Sequence, residues 1–161
     1  MIATEADYYP LVLLDMGDTG RSEEDFDRMF EAFGRVNQRA AAKGTRHVLV
    51  AVTRNLLTAS ERRMVAERAN RFPRSDFDLW LGVVLVIQNP AVRGLVTALS
   101  WMIPGIPPMT TAATTDLAVP LAVAHLQKNG ISYPDAYAER VREWFRRARD
   151  LPAALGSRTS G

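Results

Sequence analysis

Apolar and polar positions in this chain follow two rhythms, and the switch from one to the other marks the elements. Residues 79–88 read Leu-Trp-Leu-Gly-Val-Val-Leu-Val-Ile-Gln, a continuous apolar run rich in β-branched residues. Such a run predicts a strand covered on both faces, as in a parallel sheet. Asn89-Pro90 follows, a capping residue and a first-turn proline. It predicts a helix over 91–103 with Leu95, Val96, Leu99, Met102 and Ile103 on one stripe. A proline-rich turn over 104–108 and a second strand over 110–115 complete the unit around which the chain is organised.

The same reading extends to both sides. Residues 8–16 form a strand, and residues 2–4 add a short one before it. Ser22 caps a helix whose first turn carries Glu23, Glu24 and Asp25, matching the positive end of the helix dipole. Its stripe is Phe26, Met29, Phe30, Phe33, Val36 and Ala40, and Gly44 ends it. Residues 46–54 are the next strand. Thr58-Ala59-Ser60-Glu61 opens a helix that Pro73 closes, and 74–78 is a loop. Asp116 starts a helix ending at Asn129-Gly130. Strands and helices therefore alternate, and right-handed crossovers give an α/β fold with a four- to five-stranded mixed sheet. Beyond a linker at 131–134, residues 135–151 form an extra amphipathic helix. Tyr137, Val141, Trp144, Phe145, Ala148 and Leu151 line one of its faces, and arginines dominate the other. The division is a body over 1–130, an appended helix over 131–151, and a small, polar, disordered tail over 152–161.

Composition narrows the function. The chain has 161 residues, 47% hydrophobic and 24% charged, which suits one domain with a core plus an appendage. There is no cysteine, which excludes disulfides and thiolate metal sites. His47 and His125, the only histidines, cannot build a histidine-rich metal site, and neither lies in a motif that supplies a nucleophile and an orienting acid. Gly17-Asp18-Thr19-Gly20 lacks the lysine and spacing of a phosphate loop, so no cofactor and no metal are expected. Net charge is only +2, carried almost wholly by arginine, which argues against a nucleic-acid partner. No apolar run approaches the ~20 residues of a membrane span. The acidic N-terminal stretch is no signal peptide, and a cytoplasmic location is expected.

The order of elements resembles the STAS superfamily (sulphate transporter and anti-sigma-factor antagonist), in its SpoIIAA-like branch. The resemblance rests on the strand over 83–87, the arginine-bearing helix over 91–102, the turn at 104–108, the short strand after it and the helix over 116–127. It covers residues 1–130 and implies a non-enzymatic bacterial domain that docks on protein partners in signalling, regulation or scaffolding. It also implies a phosphoacceptor at the start of the helix after a central strand, which falls on Ser60, with Thr58 beside it. The family places an aspartate before the serine and small residues after it. Here Ala59 precedes, and Glu61, Arg62 and Arg63 follow. Thr58 with Glu61 reads equally as a capping box.

Three surfaces are candidates for partner binding. The first joins Arg54 and Asn55 to Arg62 and Arg63 at that helix start. The second is an apolar lip, with Trp101 and Ile106 its exposed members, whose alternative role is closing the core. The third is Trp144 and Phe145 on the last helix, which cover either their own domain, a second copy in a homodimer, or another protein. The alternative function is a binder or carrier of an apolar small molecule or lipid, in a pocket beneath residues 101–109; related α/β folds of the CRAL-TRIO type hold lipids.

Overall fold

The chain opens with β1 (Ala3–Glu5), antiparallel to β2 (Leu11–Asp15). The computed structural model describes residues 2–18, 20–90, 92, 93, 96 and 107–150, with backbone alone at 149 and 150. After β2 come α1 (Glu23–Lys43), β3 (His47–Val52), α2 (Ala59–Arg71), the one-turn α3 (Arg74–Phe77), β4 (Trp80–Val86) and β5 (Met109–Ala112). Two helices end the chain, here named α4 (Thr115–Lys128) and α5 (Asp135–Asp150). Among the described residues the strands form one five-stranded mixed sheet in the order β1-β2-β3-β4-β5, parallel from β2 onward. The fold is therefore α/β. Among the described residues no helix is long and apolar enough to cross a membrane.

Strand alternation sorts the core into two layers. Val12, Leu14, Leu49, Ala51 and Val83 face α1 and α2, where Phe26, Met29, Phe33 and Val36 meet them. Leu11, Leu13, Val48, Val50, Val84 and Val86 face the other way, against Ala118, Val119, Ala122 and Leu126 of α4 and Val141 and Phe145 of α5. We call these the first and second faces. Gly82 holds β4 close to its neighbours: a Cβ there would lie 3.1 Å from the Pro108 carbonyl oxygen, with the His125 ring 3.7 Å away.

Local chemistry explains the helix ends. Ser22 accepts from the Asp25 N–H while Asp25 accepts from the Ser22 N–H, and Gly44 closes α1 in the left-handed region at φ 59°. Three expectations shift. β2 begins at Leu11 because the Tyr9 and Leu11 amides bond back to Ala6 and Tyr8 in a turn. Residues 74–77 are helical rather than loop. β5 ends at Ala112 because Thr114 leaves the strand to cap α4, accepting from the Leu117 N–H at 3.3 Å. Of the helix expected over 91–103, Val92, Arg93 and Val96 are described and helical. Trp101, Ile106 and the tail lie outside the described residues.

Candidate functional site

In a parallel sheet every carboxyl end points the same way, and the loops there bring distant residues together. At this end the β2–α1 loop meets the β3–α2 loop. Asp15, the last residue of β2, is 3% exposed. One of its oxygens accepts from the Gly17 N–H at 2.8 Å, and the other pairs with Arg54 at 2.7 Å. Arg54 reaches Asp18 as well, at 3.5 Å. Asn55 donates to the Asp18 carbonyl at 3.0 Å and its own carbonyl accepts from the Thr53 hydroxyl.

Arg21 fastens the same corner from below. Its Nε donates to the Met16 carbonyl at 2.6 Å, and its Nη2 reaches the carbonyls of Gly17 and Asp18. Its Nη1 pairs with Glu61 at 3.1 Å, with both side chains under a tenth exposed. Glu61 also closes the α2 capping box, accepting from the Thr58 N–H at 2.7 Å while Thr58 accepts from the Glu61 N–H. Burial alone would raise the Glu61 carboxyl. The Thr58 contacts and Arg21 outweigh it and hold the group below its ordinary value. One carboxylate thus caps a helix and ties that helix to the β2–α1 loop.

Above this frame lie the residues singled out in the sequence. Arg54, Asn55, Thr58, Ser60, Arg62 and Arg63 are exposed and contiguous around the start of α2. The Thr58 oxygen is engaged as the cap, whereas Ser60 is in the open first turn. Arg62 donates to the Leu57 carbonyl at 2.8 Å, and Arg63 pairs with Glu67 along the helix. Phe145, by contrast, is 4% exposed and packs in the second-face core of its own domain, with Trp144 half-buried against it at 4.9 Å between rings. The aromatic face of α5 therefore packs on its own domain through Val141 and Phe145, with Tyr137 and Trp144 partly buried beside them. Arg142, Arg146 and Arg147 on its other side pair locally with Glu139 and Glu143.

Two cavities have residues of the β3–α2 loop on their walls. A polar cleft of 560 Å³ lies between the ends of β3 and β4, the α4 start and α5, with Arg54, Gln88, Asp116, Arg142 and Arg146 on its walls. Its arginines already face carboxylates: Arg54 meets Asp15, Arg142 meets Glu139 and Asp116, and Arg146 meets Glu139 and Glu143. The other, 400 Å³ and almost wholly apolar, lies on the first face under α2. Among the described residues no three His, Asp or Glu side chains gather as a metal cage requires.

Sequence reasoning named the surface but missed Arg21 and the pairing of Asp15 with Arg54. Arg21 follows a turn and precedes a cap, and nothing in its neighbourhood signals a buried partner 40 residues on. His47 is a further surprise: it is fully buried, against the Trp80 ring at 4.9 Å between centroids, and neither ring nitrogen has a hydrogen-bond partner among the described residues. Burial pushes it down to about 4. Comparison with family models, with curated proteins and with solved structures finds no match to this chain.

Proposed function

We propose that this chain is a non-enzymatic bacterial domain of STAS-like type that docks on a protein partner in signalling, regulation or scaffolding. Its contact surface is the start of α2 with the β3–α2 loop. The element order supports the STAS-like reading. An antiparallel pair is followed by parallel strands added in chain order, with α1 and α2 on one face. The observation that carries the docking role is the frame beneath the surface. Two buried carboxylates, Asp15 and Glu61, pair with Arg54 and Arg21 and fix both loops, so the exposed Asn55, Ser60 and Arg63 are presented on a rigid support. Preorganised side chains of this kind bind with a smaller ordering penalty. Arg62, whose bond is to the Leu57 carbonyl and which has no carboxylate partner among the described residues, suits an acidic group on a partner, and a phosphate on Ser60 would add negative charge beside it.

The test is crosslinking mass spectrometry on the full chain in its own cells, followed by binding assays with the partner so identified. Crosslinks on residues 54–63 are expected. Arg63→Glu should weaken the complex while leaving the unfolding midpoint unchanged, since Arg63 is 83% exposed. Crosslinks confined to other faces, or full binding by the charge-reversed protein, would refute the proposed surface. Light scattering on the full chain decides between a second copy and a different protein as the occupant.

A further inference from the structure

α2 covers the first face without closing on it. An amphipathic helix on a sheet ordinarily buries an apolar stripe. In α2 the fully buried residue is Glu61, while Met64, Val65 and Ala69 are only half-buried. The space beneath is the 400 Å³ cavity, within the size range of small-molecule sites. Leu14 and Leu49 of the sheet form its floor, Phe30 and Phe33 of α1 one wall, and Val65 and Ala69 of α2 its roof. It lies between the sheet and α2, with Val92 and Val96 also on its wall.

The mouth carries the second clue. Leu56 lines the cavity and is 54% exposed, an apolar side chain left at an opening. Arg62 lines it too. Nearby Arg21, Arg63 and Arg68 each have a carboxylate partner. Arg62 has none among the described residues, its bond being to the Leu57 carbonyl. A guanidinium has five N–H donors and a geometry that matches a carboxylate, so Arg62 keeps donors to spare at an apolar chamber it lines.

We propose that this cavity binds an amphiphile with one acyl tail and a carboxylate head, the tail among Phe30, Phe33, Leu49 and Val65 and the carboxylate on Arg62. Tail length sets affinity by apolar transfer, roughly fourfold per methylene until the chamber is full. The charged hydrogen bond adds a preference for acid over alcohol of about tenfold or more.

The experiment is titration calorimetry on the full chain, stripped of lipid, with decanoate, dodecanoate, tetradecanoate and dodecanol as probes. Saturable binding at one site, rising with chain length and favouring dodecanoate over dodecanol, is expected. Arg62→Gln, an exposed position, should bring dodecanoate down to the level of dodecanol. Ala69→Phe, which fills the roof, should abolish binding of both. A diazirine-bearing dodecanoate should label peptides containing residues 29–33 and 64–72 in the unaltered protein, which decides the site even if Ala69→Phe fails to fold. No saturable binding, or label confined to other peptides, overturns the site. An acid preference that survives Arg62→Gln overturns the assignment of the head group.

Discussion

Lowering the pH from 7 to 5 should weaken this fold through His47. The side chain is 0% exposed and burial holds it at about 4, against about 6.5 in an unfolded chain. Between those values the unfolded state binds the extra proton, so stability is present in full above about pH 6.5 and is lost as pH falls toward 4. At about 1.4 kcal/mol per pH unit, the loss is roughly 2 kcal/mol by pH 5 and roughly 3 kcal/mol once complete. Asp25 and Glu61 are also held below their ordinary values, burial opposing and the Ser22 or Thr58 contacts prevailing, so both stay largely ionised in the folded protein between pH 7 and pH 5. The assay is urea denaturation at pH 7 and pH 5 on the natural protein and on His47→Leu. Leucine has similar bulk, suits a strand and does not titrate. Because neither ring nitrogen has a hydrogen-bond partner among the described residues, the substitution removes no hydrogen bond to them, and at pH 7 the variant should be as stable as the parent or more so. The natural protein should lose about 2 kcal/mol more than the variant on acidification. Equal losses in the two proteins would refute the argument, because the acid sensitivity would then come from groups other than His47.

Two further outcomes test the frame around the candidate surface. Arg21→Met leaves the Glu61 carboxylate without its ion-pair partner and should cost about 3 kcal/mol in urea denaturation, with Glu61→Gln in the same background recovering part of it. Thr58→Ala should cost about 1 kcal/mol by loss of the helix cap, whereas Ser60→Ala, in the same turn but exposed, should change thermal stability by less than about 0.5 kcal/mol.

What was legible in the sequence was local. β3 and β4 announce themselves by apolar runs because both faces of each strand are covered. Ser22, Gly44 and Thr58 mark helix ends because a cap acts over three or four residues. The mixed α/β sheet follows from rules of connection, whereas the antiparallel pairing of β1 and the strand order are read from the structure. The interior polar groups were not legible. Arg21 and Glu61, Asp15 and Arg54, and Trp80 with Asn37 (3.0 Å) are each pairs some 40 residues apart, and no periodicity connects them. The face of α5 was readable, but what it covers was not. Amphipathicity specifies a stripe and leaves its counterpart open, and the counterpart proves to be the sheet, reached through Val141 and Phe145. The apolar cavity escaped for a related reason: α2 has apolar residues at helical spacing, yet spacing alone does not say how closely they settle on the sheet.

The position of α5 has a consequence for the order in which the protein is made. Sheet neighbours here are also neighbours in sequence, so β1 to β4, with α1 and α2 over them, can assemble as they leave the ribosome. The second face cannot. Leu11 and Leu13 wait for α4 and α5, and Tyr8, close to the chain start, meets Tyr137 of α5 at 6.2 Å between rings. Until α4 and α5 have emerged, the nascent chain therefore carries one face with α1 and α2 in place and one bare apolar face. Of the described elements α5 emerges last and completes that cover, so a translation stall before residue 135 would leave the second face half covered.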